Sequence, residues 1–297
     1  MPLIGIIDPA HNSRKKLKLG EYPKWYTLDE LDLESQTSNP KWSPWTHELV
    51  AAALGEHQER GDRISVTALT TGCPRGLVME RKEDYIAAID GMYPPLRGTL
   101  LHAALERYGR TGSIVEARFY VTIDGIELSG SPDLLTIDTI YDYKMTENPP
   151  NFGYPYRHHT EQLMFGAFIA RNAEKWDYPT ELPFDPREHP VTNALVVYLG
   201  PKGPKPILVE KKQEFTTPSG AVREGKRPYI WSDGETLDEI RPRLHMLKRA
   251  LEVYPEWPEG AEELWGGDPG WGCPGPPFCY LPDCLAKRKI LTWKKVD

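Results

Sequence analysis

The sequence predicts an α/β fold, a central mixed β-sheet flanked by helices. Two observations carry it. Helical and extended stretches alternate along the chain as helix, several strands, helix and strands again. Two strongly apolar helical stretches, residues 98–108 and 158–171, bracket the first group of strands.

In chain order, residues 1–60 are polar, rich in Trp, Pro and Lys, and read as an N-terminal extension whose one helical stretch is 46–58. From Ser65 the sequence SVTALTTGCPRGLVMERK gives a capped start and then a helix carrying Cys73. Pro94-Pro95 predicts a break. The helix at 98–108, GTLLHAALERY, repeats apolar residues at 100, 101, 104, 105 and 108. Strands follow at 114–123, 126–129, 133–137 and 139–144, then the helix HHTEQLMFGAFIAR at 158–171. Strands resume at 193–199 and 207–215 across a Gly/Pro/Lys turn at 200–206, and 237–254 is a long amphipathic helix. Residues 61–255 make one core with a basic insertion at 200–227, and 256–297 a Cys-bearing, Pro/Gly-rich segment.

Composition narrows the class. The chain has 297 residues, 39% of them hydrophobic, enough for a true core. No apolar run reaches the length of a membrane span, so no membrane partner is expected. The start MPLIGIIDPAHNSRKK lacks the pattern of a signal peptide. A cytoplasmic, reducing setting follows as the expectation, without structural disulfides. A net charge of −7 argues against a protein that coats nucleic acid. Two segments run against that average: residues 200–227 hold seven Lys/Arg against three Asp/Glu, and 281–297 hold five against two. Solvated faces are the competing account of both.

The segment GSPDLLTIDTIYDYKMT, residues 130–146, carries the chemistry. Residues two apart on a strand share a face, so Asp142 and Lys144 point one way while Tyr141 and Tyr143 point the other. Asp133 begins the neighbouring strand, where its carboxylate meets that of Asp142 across the pair. Two close carboxylates repel, and a divalent cation offsets that repulsion; hard oxygen ligands suit Mg²⁺ or Mn²⁺. A surface hairpin with an Asp–Lys salt bridge is the plainer account of D-x-K alone.

Four cysteines also stand out. Cys73 lies before the strands, and Cys273, Cys279 and Cys284 lie in GWGCPGPPFCYLPDC. That stretch has no periodicity and needs a staple, and four thiolates suit zinc or an iron–sulfur cluster.

Gly130-Ser-Pro-Asp133 followed by Asp142-Tyr-Lys144 resembles the PD-(D/E)XK nuclease motif in its RecB-family form. The resemblance implies a restriction-endonuclease-like core, with Asp133, Asp142, Lys144 and Gln162 as catalytic residues. It also implies a metal held by His102, Asp133, Asp142 and Tyr143. His102 closes G98-T-L-L-H102, similar to the family's Gly-x-x-x-His, and an imidazole ligand tilts the metal toward Mn²⁺. Gln162 matches the first half of the family's Gln-x-x-x-Tyr, but Gly166 stands at the tyrosine position. Glu116, on the strand before the hairpin, is a candidate outer carboxylate, and His158 and His159 are candidate phosphate contacts.

One cysteine before the core and three after it resembles the CRISPR-associated Cas-four exonucleases and AddB-type helicase–nucleases. There the four hold a 4Fe-4S cluster. The C-x5-C-x4-C spacing departs from the family's shorter first gap, so zinc remains the alternative. The resemblance spans residues 65–289. It implies a metal-dependent DNA exonuclease acting on single strands or free ends, in CRISPR adaptation, recombination or viral replication. Two rivals stand beside it: a nucleic-acid-binding subunit that has lost catalysis, and a restriction-type endonuclease.

Overall fold

Two strands that each cross from one sheet into another set the architecture. In the computed structural model, residues 3–7, 25–27, 63–70, 78, 81–82, 85–107, 111–151, 153–216 and 222–254 are described. Strand β5 (Ile114–Val115) lies in one sheet, and β6 (Arg118–Ile123), two residues later, lies in a second. Strand β7 (Ile126–Gly130) returns in the second sheet, and β8 (Leu134–Leu135) re-enters the first. At the first crossing Glu116 takes a positive φ of 54°, a conformation uncommon for a residue with a Cβ. The second crossing is tied to it, because the Ser131 hydroxyl donates to the Glu116 carbonyl at 2.9 Å.

The first sheet has five strands in the order β12-β11-β9-β8-β5, adding β9 (Thr139–Met145), β11 (Asn193–Gly200) and β12 (Gly203–Leu208). Within it β9 and β11 run parallel and the remaining pairs antiparallel. The second has four strands in the order β10-β6-β7-β3, with β3 (Ile64–Ser65) and β10 (Lys175–Asp177) at its edges. The fold is therefore mixed α/β with several sheets flanked by helices, and two sheets share the place where the sequence predicts one central sheet.

Helix α1 (Val66–Thr70) begins as expected with a capping serine: Ser65 Oγ accepts from the Ala68 N–H at 3.3 Å. Helix α2 (Ile89–Arg107) runs through Pro94 and Pro95, where a break is predicted. Each proline removes one backbone donor, but its fixed φ is itself helical. Helix α3 (Arg157–Arg171) has every residue from Leu163 to Ala170 buried. A helix apolar on all sides must be enclosed, and α3 contacts β6 and β7 of one sheet, β9 and β11 of the other, and α1. Gly166 lies on its β9 side, where an added Cβ would stand 3.3 Å from Ile140 Cδ1. No such room exists for the tyrosine of the Gln-x-x-x-Tyr pattern.

The strand predicted at 207–215 is split at buried Val209. Its N–H donates to Ala194 at 2.8 Å and its carbonyl accepts from Tyr229 at 3.1 Å. Beyond it β13 (Glu210–Thr216) pairs, among the described residues, only with β14 (Val222–Pro228), an antiparallel two-stranded ribbon. Helix α4 (Asp233–Val253) follows.

The chain divides into two compact units. Residues 63–70 and 101–245 hold the two sheets, the ribbon and α3. Residues 1–62, 71–100 and 246–297 form the other unit, whose described strands are β1 (Leu3–Ile7), β2 (Trp25–Thr27) and β4 (Tyr85–Ala88) in the order β2-β1-β4. The helix expected at 46–58 lies outside the described residues. The described residues contain no helix long and apolar enough to cross a membrane.

A buried ion pair fixes α4 on α3. Arg243 donates to both Glu161 oxygens, at 2.9 and 3.0 Å, with each side chain less than 8% exposed. Burial alone would raise the Glu161 carboxyl; hydrogen bonds and charge from Arg243, helped by Arg157, outweigh it and hold the pKa below the carboxylate norm. Arg243→Ala leaves a buried carboxylate without its main partner, and the expected loss is about 3–5 kcal/mol in a urea melt. Because the folded pKa is depressed, this pair's contribution is fully present above the unfolded carboxylate pKa and is lost as pH falls below that value and through the lower folded one. Melting temperatures below about pH 4 should therefore drop more steeply in the wild type than in Glu161→Gln.

Candidate functional site

Alternation along β9 builds the site. Its sequence TIYDYKM sends Asp142 and Lys144 to one side, and Lys144 Nζ lies 2.8 Å from Asp142 Oδ1. Tyr141 and Tyr143 turn to the other side, their rings stacked 6.4 Å apart. Antiparallel pairing of β8 with β9 sets Leu134 opposite Tyr141, which brings Asp133, one residue earlier, beside Asp142. Asp133 Oδ2 accepts from the Tyr143 N–H at 2.5 Å.

Both crossings deliver carboxylates to the same place. Glu116 sits at the first and Asp133 just past the second, and α2 supplies His102. His102 Nδ1 is hydrogen-bonded to Glu116 Oε1 and lies 3.5 Å from Asp133 Oδ1. One ligand atom from each of His102, Glu116 and Asp133 falls within 4.8 Å of the others, a group that could hold a metal ion. From α3, Gln162 Oε1 accepts from Lys144 Nζ at 2.9 Å. Lys144 is thus held between Asp142 and Gln162.

Electrostatics marks the cluster as a place where charge is costly. Burial, then repulsion from Asp142, pushes the Asp133 carboxyl up to about 7. Burial also raises Asp142, although Lys144 pulls the other way. The hydrogen bond to Glu116 raises His102 against its own burial. Asp142 Oδ2 is buried without a hydrogen-bond partner. Carboxylate oxygens of Glu116 and Asp133, the His102 imidazole nitrogen and the unpartnered Asp142 oxygen fit a hard or borderline divalent ion such as Mg²⁺ or Mn²⁺.

Several expected residues are brought together: His102, Asp133, Asp142, Lys144 and Gln162. Tyr143 meets Asp133 through its backbone N–H. The metal-competent group contains Glu116, read from sequence as an outer carboxylate, and leaves out Asp142, whose Oδ1 engages Lys144. No local pattern in SIVEAR signals the turn that puts Glu116 there, since a positive φ is not written into a glutamate.

Tyr198 is unforeseen. It stands opposite Lys144 in the β9–β11 register, is fully buried, and its hydroxyl accepts from the Tyr156 N–H at 3.0 Å and meets His159 Nδ1 at 2.9 Å. Burial drives the His159 pKa down to about 2, so it is neutral. Its neighbour His158 stacks on Tyr156. Burial, then the charge of Lys144, lowers the His158 pKa, while Glu161 and Asp142 pull it upward. Cys73, Cys273, Cys279 and Cys284 lie outside the described residues.

No family model matches the chain, and no curated protein matches it. Among solved structures, the protein in "Crystal structure of SSO0001" is similar at 18% identity and a TM-score of 0.42, over 67% of this chain and 84% of its own. A likeness at that level carries no argument about function.

Metal binding is directly measurable. Titrating Mn²⁺ into chelator-treated protein should raise its melting temperature, since an ion that binds only the folded state stabilises it. Asp133→Asn and Glu116→Gln should each abolish most of that shift. An unchanged shift in both variants would remove the metal from this cluster.

Proposed function

We propose that the chain is a metal-dependent deoxyribonuclease of the PD-(D/E)XK kind, an exonuclease working on single-stranded or free DNA ends. The observation that supports this reading is a single cluster. Lys144 is clamped between Asp142 and Gln162, with His102, Glu116 and Asp133 beside it.

A divalent ion held by His102, Glu116 and Asp133, with the spare Asp142 oxygen, would acidify a water and polarise a phosphate. The protein's own groups do the rest. Lys144 brings a fixed ammonium to the charge that grows on phosphate oxygens, and because two partners already orient it, little reorganisation is needed at the moment of reaction. Asp142 keeps that ammonium in place, and Gln162 fixes it from the helix side. Tyr198 and Tyr156 brace the segment that joins β9 to α3, so the two halves of the clamp hold their spacing.

A second reading, a nucleic-acid-binding subunit without catalysis, draws on one feature: Gly166 occupies the tyrosine position. End-labelled single strands, circular single strands and duplex, each with Mn²⁺ or chelator, discriminate. Wild-type protein should shorten linear single strands, spare circles and stop in chelator. Lys144→Ala and Asp142→Asn should slow cleavage by at least ~10²-fold, the scale for losing one preorganised charged group. Binding without cleavage by wild type would leave the second reading, and discrete duplex fragments would indicate a restriction-type enzyme.

The cysteine spacing supports a 4Fe-4S cluster, with zinc as the alternative. Protein purified without oxygen should be brown and carry about four irons per chain. Cys279→Ser should lose colour and stability together. A colourless protein with stoichiometric zinc would assign the other ligand.

A further inference from the structure

The ribbon formed by β13 and β14 has no role in the core. Every residue of it whose burial is described is exposed or half-exposed, and among the described residues its two strands pair with no other sheet. A two-stranded ribbon of this kind is marginal by itself, so its composition is informative.

The register places Lys211 opposite Arg227 and Lys212 opposite Lys226. Residues directly opposite share a face and successive ones alternate. Each face thus carries a like-charged pair at adjacent positions. Such pairs weaken a sheet, and all four side chains are exposed.

The acids beside them include Glu210, opposite Pro228 on the face of Lys212 and Lys226, so the base holds four cations against this one acid. Glu214 and Glu224 oppose each other further along, on the face of Lys212 and Lys226. Glu224 lies 3.7 Å from Lys212, and Glu235 lies 3.6 Å from Lys211, which also donates to the Tyr229 hydroxyl at 3.0 Å. On the face of Lys211 and Arg227 the next register is uncharged, Gln213 opposite Gly225. Cations are therefore concentrated at the ribbon's base, against the overall negative charge of the chain.

Between the Lys144 strand and the Gln162 helix lie Pro150 and Tyr154, which meet lysines of β12 and of the ribbon. Lys205 donates to the Pro150 carbonyl at 2.6 Å. Lys226 sits 4.0 Å from the ring centroid of Tyr154, which is 45% exposed.

We propose that the base of the β13–β14 ribbon, with Tyr154, binds single-stranded DNA and leads it past Tyr154 toward the Lys144 cluster. The cations take phosphates without reading sequence. An exposed tyrosine beside them offers a stacking surface for an unpaired base, which a duplex does not present. The choice of DNA as the polymer rests on the nuclease reading; the surface itself does not.

The test measures fluorescence anisotropy of a labelled oligothymidylate with full-length protein in chelator, where no cleavage occurs. Lys212→Gln/Lys226→Gln/Arg227→Gln should raise Kd about tenfold or more at low salt. It should also reduce the slope of log K against log salt by about 2, at roughly 0.7 per lost phosphate contact. Tyr154→Ala should weaken binding about fivefold or more without changing that slope. A control on α4, Lys248→Gln/Arg249→Gln, removes exposed charge elsewhere and should bind as wild type.

The proposal fails if the triple variant keeps the wild-type Kd and slope. It fails equally if the control loses as much, or if only duplex binding weakens. Should the triple variant melt early, Tyr154→Ala alone decides, since it leaves the ribbon intact. Ribbon-dependent binding without any Mn²⁺-driven cleavage would sink the nuclease reading and keep the surface. Normal cleavage with ribbon-independent binding would do the reverse.

Discussion

The paired crossing of β5 into β6 and β7 into β8 is the constraint from which the site follows. A strand cannot pass between two sheets without a local break in its ladder. Here both breaks occur at the same level, stitched by Ser131 to the Glu116 carbonyl. Backbone freed from one sheet and not yet engaged in the other leaves Glu116 and Asp133 facing a common space. Burial raises the carboxyls of Asp133 and Asp142, and repulsion from Asp142 adds to it at Asp133; that stress is what a cation would relieve.

The helix α3 turns this local arrangement into a rigid one. Enclosed by both sheets, it has no freedom to rotate, so Gln162 reaches Lys144 from a fixed direction. Its first turns are anchored twice, by Glu161 to Arg243 and by Tyr156 and His159 to the Tyr198 hydroxyl. The polar tip of Tyr198 thus satisfies groups at the helix start while its ring fills the core.

Much of the site was legible because strand alternation is a strong local signal. Asp142 and Lys144 share a side of β9, and Tyr141 and Tyr143 share the other, as the period of two requires. The helix at 158–171 was equally plain, being apolar without a break from Leu163 to Ala170. What escaped depended on partners distant in sequence. The division into two sheets hinges on a positive φ at Glu116, which that residue does not announce. Strand β14, VREGKRP, shows no apolar alternation because neither of its sides is buried, so only its pairing with β13 makes it a strand. Pro94 and Pro95 read as a stop, yet their fixed φ suits the helix they interrupt chemically. The cysteines, conspicuous in sequence, fall outside the described residues.

The close approach of Gly166 to Ile140 has a consequence for how this chain can diversify. The 3.3 Å gap that a Cβ would face makes the two positions a coupled pair. Any side chain at 166 asks Ile140 Cδ1 to give way by a few tenths of an ångström, and the bulky aromatic of the Gln-x-x-x-Tyr pattern asks for more room on the side facing the strand that carries Lys144. A shortened side chain at 140 must come first, and by itself that step leaves a cavity and costs stability. The two positions are thereby linked: an aromatic at 166 is expected only together with a shortened residue at 140.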